Sequence, residues 1–202
     1  MKTNCNTILI GSKVLLVPYY PHHVDKYHTW MSSSELQELT ASEPLTLEEE
    51  YNMQQSWMMD EDKCTFIVLD KAAYEETSNE VTAMIGDTNV FLARDPGVGE
   101  IEIMIAEKEF RGHGKGKEAA LMMLKYCVEH LNFKTFEAKI GDSNVASLNM
   151  FRQFQFEVVS KSVVFKETTL SVSVTENWRS WLRSKVSTYF VDNYETNKKY
   201  SK

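Results

Sequence analysis

Gly99-Glu100-Ile101-Glu102-Ile103-Met104-Ile105-Ala106, followed four residues later by Arg111-Gly112-His113-Gly114-Lys115-Gly116-Lys117-Glu118-Ala119-Ala120-Leu121, is the stretch on which the fold turns. In the first part glutamates alternate with apolar residues at a period of two, which predicts a half-buried strand. In the second, the residues from Lys117 onward are strong helix formers. Strand, glycine-rich turn and helix in this order aim free backbone N–H groups and the positive end of a helix dipole at one point. Such a point binds an anion, and a phosphate fits it best. Arg111, His113, Lys115 and Lys117 form a basic cluster there against an otherwise acidic chain of net charge −7.

Reading outward, residues 8–17 predict two short strand pieces around Gly11-Ser12-Lys13, stopped by Pro18. Residues 22–31 predict a helix with Val24, Tyr27 and Trp30/Met31 on one face. Thr46 and Glu49 have capping-box spacing for a second helix carrying Leu47, Tyr51, Gln54/Gln55 and Met58. Residues 64–69 and 84–92 predict strands, residues 70–81 a polar loop, and Asp95-Pro96-Gly97 a turn. The helix after the glycine turn runs about four turns to near Leu131, with Ala120, Leu124, Cys127/Val128 and Leu131 inside and Lys125 and Glu129 outside. A strand over 133–140 follows, then a helix capped within Asp142-Ser143-Asn144 and carrying Leu148, Phe151 and Phe154. Residues 156–165 and 168–174 predict a hairpin, and 176–185 a short helix with Trp178, Trp181 and Leu182. The whole is one α+β domain over 1–185, with a polar, flexible tail over 186–202.

Composition bounds the function. The 202 residues, 43% hydrophobic and 11% aromatic, suffice for one sizeable core. Net negative charge disfavours nucleic-acid binding. No apolar run approaches membrane-spanning length, and there is no export signal or myristoylation pattern. Cys5, Cys64 and Cys127 are odd in number and widely spaced, so the expectation is reduced thiols, a cytoplasmic address and no zinc site.

Two well-known phosphate loops are excluded. A Walker A loop needs Ser or Thr after Gly-Lys, where this chain has Glu118. A dinucleotide fingerprint has the spacing G-x-G-x-x-G at the start of a βαβ series, and here Gly112, Gly114 and Gly116 alternate late in the chain. Arg111-Gly112-x-Gly114-x-Gly116-x-Glu118-Ala119, with Asn144-x-x-Ser147-Leu148 further on, resembles the acetyl-coenzyme A core of the GNAT acetyltransferase superfamily, in its branch of protein N-terminal acetyltransferases. The segments 40–46, 63–70 and 137–141 extend the resemblance over residues 6–185, to a group acting on alpha- and beta-tubulin.

The resemblance implies a central, mixed, mostly antiparallel sheet flanked by helices, with a splayed strand pair forming the acetyl-coenzyme A cleft. It implies that backbone amides of Gly112, His113, Gly114, Lys115, Gly116 and Lys117 cradle the pyrophosphate. Arg111 would contact phosphate or fix the loop, Met104 and Ile105 would offer backbone groups to pantetheine and thioester, and Asn144 and Ser147 would reach the coenzyme. Acetyl-coenzyme A would be the cosubstrate, with no metal, and a protein N-terminus, that of alpha- and beta-tubulin, the acceptor. Glu100 and Glu102 share a strand face. Glu100, eleven residues before Arg111, has the spacing of a family catalytic base, and Glu102 would orient or assist. Where many family members place a tyrosine to protonate the departing thiolate, this chain has Phe151. Another protein, a lysine or a small amine as acceptor remains open, as does a low-turnover coenzyme A-binding cytoskeletal adaptor. His22, His23 and His28 lack metal-ligand partners at ligand spacing, Asp60-Glu61-Asp62 reads as a solvated loop, and the oligomeric state is not legible.

Overall fold

The computed structural model describes residues 1–92, 97–186, 188–197 and 199–200. The strands are β1 (Thr7–Ile10), β2 (Val14–Pro18), β3 (Lys63–Asp70), β4 (Met84–Leu92), β5 (Val98–Ile105), β6 (Thr135–Gly141), β7 (Glu157–Ser162), β8 (Glu167–Ser173) and β9 (Phe190–Asn193). The helices are α1 (Val24–Met31), α2 (Ser34–Thr40), α3 (Leu47–Met59), α4 (Lys71–Thr77), α5 (Glu80–Ala83), α6 (Lys115–His130), α7 (Val145–Gln153) and α8 (Glu176–Lys185). One sheet takes the strands in the order β7-β8-β6-β5-β4-β3-β2-β1-β9. Every neighbouring pair is antiparallel except β5 and β6.

That exception positions the site. β5 and β6 are paired only at Val98↔Thr135, Gly99↔Phe136 and Glu100↔Glu137. Beyond Glu100 both strands continue, β5 to Ile105 and β6 to Gly141, without pairing each other. β5 keeps its partner β4 throughout, through Gly86↔Ile105. A wedge therefore opens in the middle of an otherwise continuous sheet.

Helices cover both faces. Ile101 belongs to the core under α6, α7 and α8, with Phe66, Val68, Leu124, Phe136, Phe154 and Trp178. Met104 belongs to the core under the earlier helices, with Leu15, Val17, Tyr19, Tyr27, Trp30 and Ile67. β3 is buried along its whole length because it lies between the two layers. α6 is buried from Ala119 to Leu124 without a break, since the sheet lies on one side and α8 packs on another.

Two segments depart from the sequence reading. Residues 70–81, expected as a polar loop, hold two helices. The Asp70 carboxylate caps α4 by accepting from the Ala73 N–H at 2.9 Å, and Ser78 ends it in the left-handed region at φ 50°. Asn79 then caps α5, accepting from the Thr82 N–H at 2.9 Å. The Ser78-Asn79 break that suggested a loop is the joint between two capped helices. After 185, where a flexible tail is expected, β9 adds an edge strand to β1 in the register Thr7↔Asn193 to Ile10↔Phe190. Its side chains are exposed, so the polar composition that suggested a tail is that of an edge strand held by its backbone. α2 has no counterpart in the sequence reading. Of the expected Asp95-Pro96-Gly97 turn, the first two residues lie outside the described ones.

Candidate active site

The glycine turn and α6 lie beside the open end of the wedge. Gly112 and Gly114 have φ of +78° and +79°, a region that costs a side-chain-bearing residue steric strain. Gly114 is the helix N-cap and no side chain caps it. The Glu118 N–H donates to the first carbonyl of the turn, Gly114 O, at 3.0 Å, and the N–H groups of Lys115, Gly116 and Lys117 before it find no acceptor among the described residues. At Gly116 a Cβ would stand 3.0 Å from Ile105 Cγ1, so the missing side chain lets the helix start close against β5.

A cleft of about 450 Å³ runs from the wedge along this helix end. Met104, Ile105, Arg111, Gly112, Gly114, Gly116, Lys117, Asn144 and Ser147 all line it, as the resemblance implies. His113 and Lys115 do not. Lys115 turns its ammonium to the Asp70 carboxylate, 4.3 Å over the Phe110 ring, and the His113 carbonyl accepts from Lys13 Nζ at 2.9 Å. Residues the sequence reading missed complete the lining: Leu36, Leu39 and Thr40 of α2, Ile103 of β5, and Ala146, Asn149, Met150 and Gln153 of α7. Apart from Ile103 they sit on α2 and α7, and nothing in local sequence marks any of them.

Arg111 lines the cleft and is also hydrogen-bonded to the protein around it. Its Nε donates to Ile105 O at 2.7 Å and Nη2 to Ala106 O at 3.1 Å, while Nη1 donates to Glu35 Oε1 at 2.8 Å. It thus ties the end of β5, the glycine turn and α2 together. Glu118 makes a second tie from the first turn of α6. Its carboxylate accepts from the N–H groups of Ser12, Lys13 and Val14 at 2.9, 2.7 and 3.1 Å, and from the Ser12 hydroxyl. Asn144 caps α7 through Oδ1, accepting from the Ser147 N–H at 3.1 Å.

The two glutamates stand on the other face of β5 and do not line the cleft. Glu100, in the last paired rung, accepts from Lys139 Nζ at 2.5 Å. This bond raises the Lys139 ammonium above the ordinary lysine range. Glu102 lies in the splayed part of β5, and its carboxylate accepts no hydrogen bond from the described residues. Desolvation by the surrounding protein lifts its pKa, with Lys63 opposing and Glu100 adding to the lift. Lys63 itself sits 3.1 Å over the Trp57 ring and 3.9 Å over the Phe91 ring, and burial lowers it to about 8. Phe151 is buried in an aromatic cluster, 5.7 and 5.1 Å from the Phe154 and Phe156 rings.

The histidines do find a carboxylate, though not one at helical spacing. Glu80 Oε2 lies 2.7 Å from His22 Nε2 and 3.0 Å from His23 Nε2. His23 Nδ1 accepts from the Tyr20 N–H at 3.1 Å, which puts the ring proton on Nε2, facing Glu80. With its proton there, His23 donates to Glu80, and the three side chains form a hydrogen-bonded clamp.

Comparison with known proteins agrees with this geometry. Residues 13–157 match the family model described as acetyltransferase (GNAT) domain. The chain is 52% identical over 192 residues to human alpha/beta-tubulin-N-acetyltransferase 9, covering 93% of each chain. It is 50% identical to the protein of the same name from Drosophila melanogaster, covering 92% of this chain and 96% of that one. Among solved structures, spermidine N-acetyltransferase from Vibrio cholerae in complex with CoA and spermine superposes with a TM-score of 0.70 at 14% identity, over 81% of this chain and 96% of that chain. The splayed sheet, the uncapped helix after the glycine turn and these relatives together show that the chain belongs to the GNAT acetyltransferase family and is an N-acetyltransferase.

Proposed function

We propose that this chain transfers the acetyl group of acetyl-coenzyme A to the α-amine of a protein N-terminus, and that its acceptors are alpha- and beta-tubulin in the cytoplasm. The observation that carries the coenzyme is the trio of free N–H groups at the start of α6, beside a cleft whose other walls, Leu36, Leu39, Ile103 and Met150, are apolar. The free amides suit the pyrophosphate and the apolar walls the pantetheine arm. In that pose the acyl end enters the wedge between β5 and β6, where the Met104–Ile105 backbone polarises the thioester carbonyl and stabilises the oxyanion. The acceptor approaches from the opposite face, past Glu102.

The wedge thus separates donor and acceptor by one strand. The amine must lose its proton before it attacks, and Glu102, unpaired and with a raised pKa, takes this proton directly or through water. Glu100 is neutralised by Lys139 and orients Glu102 through charge. No phenol stands at position 151, so the thiolate departs as such or takes its proton from water. An α-amine has a pKa near 8 against about 10.4 for lysine, so freeing it costs about 3 kcal/mol less. A single carboxylate therefore suffices for N-termini.

The test mixes the pure chain with labelled acetyl-coenzyme A and synthetic N-terminal peptides of alpha- and beta-tubulin, next to peptides with blocked α-amines and an internal lysine. Label on the free tubulin N-termini supports the reading. Label on lysine or small amines alone replaces the acceptor, and saturable coenzyme binding without transfer replaces the enzyme by a binding protein.

A further inference from the structure

Behind Glu102 the sheet carries polar groups that the donor cleft leaves unused. Thr65, Asn89 and Glu102 stand in one cross-strand row, since Thr65↔Asn89 and Asn89↔Glu102 are paired. Asp87, opposite Met104, is two rungs further along on the same face and 2% exposed. The Thr65 hydroxyl donates to Asn89 Oδ1 at 2.6 Å, and Asn89 Nδ2 donates to Asp87 Oδ2 at 2.7 Å. Asp87 is thus held by an amide whose orientation is set from the next strand.

Titratable groups from the neighbouring elements interact electrostatically with Asp87. These are Lys63 from β3, Glu102 from β5, Tyr19 after β2 and Tyr27 from α1, and both tyrosines also feel Glu50 of α3. Around them, Tyr19 Oη, Glu50 Oε2, Gln54 Oε1 and His28 Nδ1 are buried without a hydrogen-bond partner among the described residues. Four orphaned polar atoms between one sheet face and two helices need water as their partner. The row ends at His28, whose side chain is 29% exposed and whose Nδ1 lies 3.8 Å from Glu50 Oε1.

We propose that Asp87 receives from Glu102 the proton lost by the acceptor ammonium, and that the polar chamber of Tyr19, Glu50 and His28 passes it to solvent. This deepens the transfer reading above and rests on it. The stoichiometry requires such an exit. The ammonium nitrogen forms the C–N bond, the C–S bond breaks, and the nitrogen gives up two protons. One ends on the coenzyme A sulfur and the other must leave the protein. Burial lifts the Asp87 carboxyl to about 7, with the Glu102 charge adding to it, so it loads and unloads near neutrality.

Asp87→Asn is nearly isosteric and keeps an acceptor for Asn89. It is expected to lower kcat about 10–100-fold near neutral pH, with acetyl-coenzyme A affinity within about twofold of wild type. In wild type, kcat rises with pH through an acid limb to which Asp87, at about 7, contributes, and in the variant the limb that Glu102 leaves moves to lower pH. Tyr19→Phe removes only an unpartnered hydroxyl and is expected to lower kcat about 3–10-fold with a larger solvent deuterium isotope effect. Wild-type kcat and an unmoved acid limb in Asp87→Asn overturn the proposal, as does a loss of rate matched by an equal loss of coenzyme affinity. Should that variant not fold, an unchanged rate and isotope effect in Tyr19→Phe overturns it. A wild-type chain that consumes no acetyl-coenzyme A with any amine overturns the transfer reading and the proposal together.

Discussion

Two carboxylates on one strand face have different surroundings because of the rung each occupies. Glu100 lies where β5 and β6 still pair, within reach of Lys139. Glu102 lies where they have parted, with raised pKa and no hydrogen-bonded cation. Glu102→Gln is therefore expected to cut kcat about 100-fold, and Glu100→Gln only about 3–10-fold, both with unchanged acetyl-coenzyme A binding in calorimetry. The reverse ranking would return the base to Glu100, the residue that sequence spacing favours. Asp87 carries a second consequence, in stability. Its folded pKa of about 7 lies above the ordinary 3.8, so the folded state holds the proton more tightly. The stabilising effect of that proton is full below pH 3.8 and is lost as pH rises through 7. Asp87→Asn should then stabilise the fold above pH 7 by up to about 4 kcal/mol, and the gain should vanish near pH 4. Urea unfolding at the two pH values reads this directly. A variant at once slower and more stable would be an active site holding a charge at the expense of the fold.

At the scale of elements, the donor cleft is held by three ties, Arg111 to Glu35 and β5, Glu118 to the Ser12–Val14 amides, and Asn144 to its own helix. Glu118→Ala releases three backbone N–H groups at the β1–β2 turn. It should weaken acetyl-coenzyme A binding about 5–10-fold and destabilise the fold by about 1–2 kcal/mol, with kcat at saturation kept. Binding unchanged within error would show that α6 holds its position without the tie. The glycine turn, α6, the Asn144 cap and both strands of the wedge were legible, because each rests on a local rule of period, cap or positive φ. Glu118 was legible as a pattern residue but not as a tie, because its partners lie more than a hundred positions away. The Asp87–Asn89–Thr65 row was illegible for the same reason, being assembled by register across two strands. α4 and α5 were missed because a polar joint between two caps has the composition of a loop.

At the scale of the whole molecule, the sheet is closed at its far edge by the last described strand, and a buried clamp secures it. The Tyr194 hydroxyl donates to Glu80 Oε1 at 2.8 Å, while His22 and His23 approach Oε2 of the same carboxylate. Burial works against the Glu80 charge, yet the hydrogen bonds from His22, His23 and Tyr194 outweigh it and hold the pKa down to about 2. The clamp therefore contributes stability that is fully present above pH 4.5 and is lost as pH falls through about 2. His23 acts earlier. Burial lowers its pKa below 6.5, so the unfolded chain takes up that proton first and stability declines as pH drops below 6.5. Glu80→Gln leaves two histidines and a phenol facing a neutral amide, and is expected to cost about 1–3 kcal/mol at neutral pH. The loss should be local. Hydrogen exchange of the β9 amides, paired to β1 from Phe190 to Asn193, should accelerate, while the amides of α6 and the affinity for acetyl-coenzyme A stay as in wild type, because no clamp residue lines the cleft. Exchange accelerated equally in β9 and α6 would mean that the edge strand and the donor site unfold as one unit. Unaltered β9 exchange would mean that backbone pairing alone holds the strand.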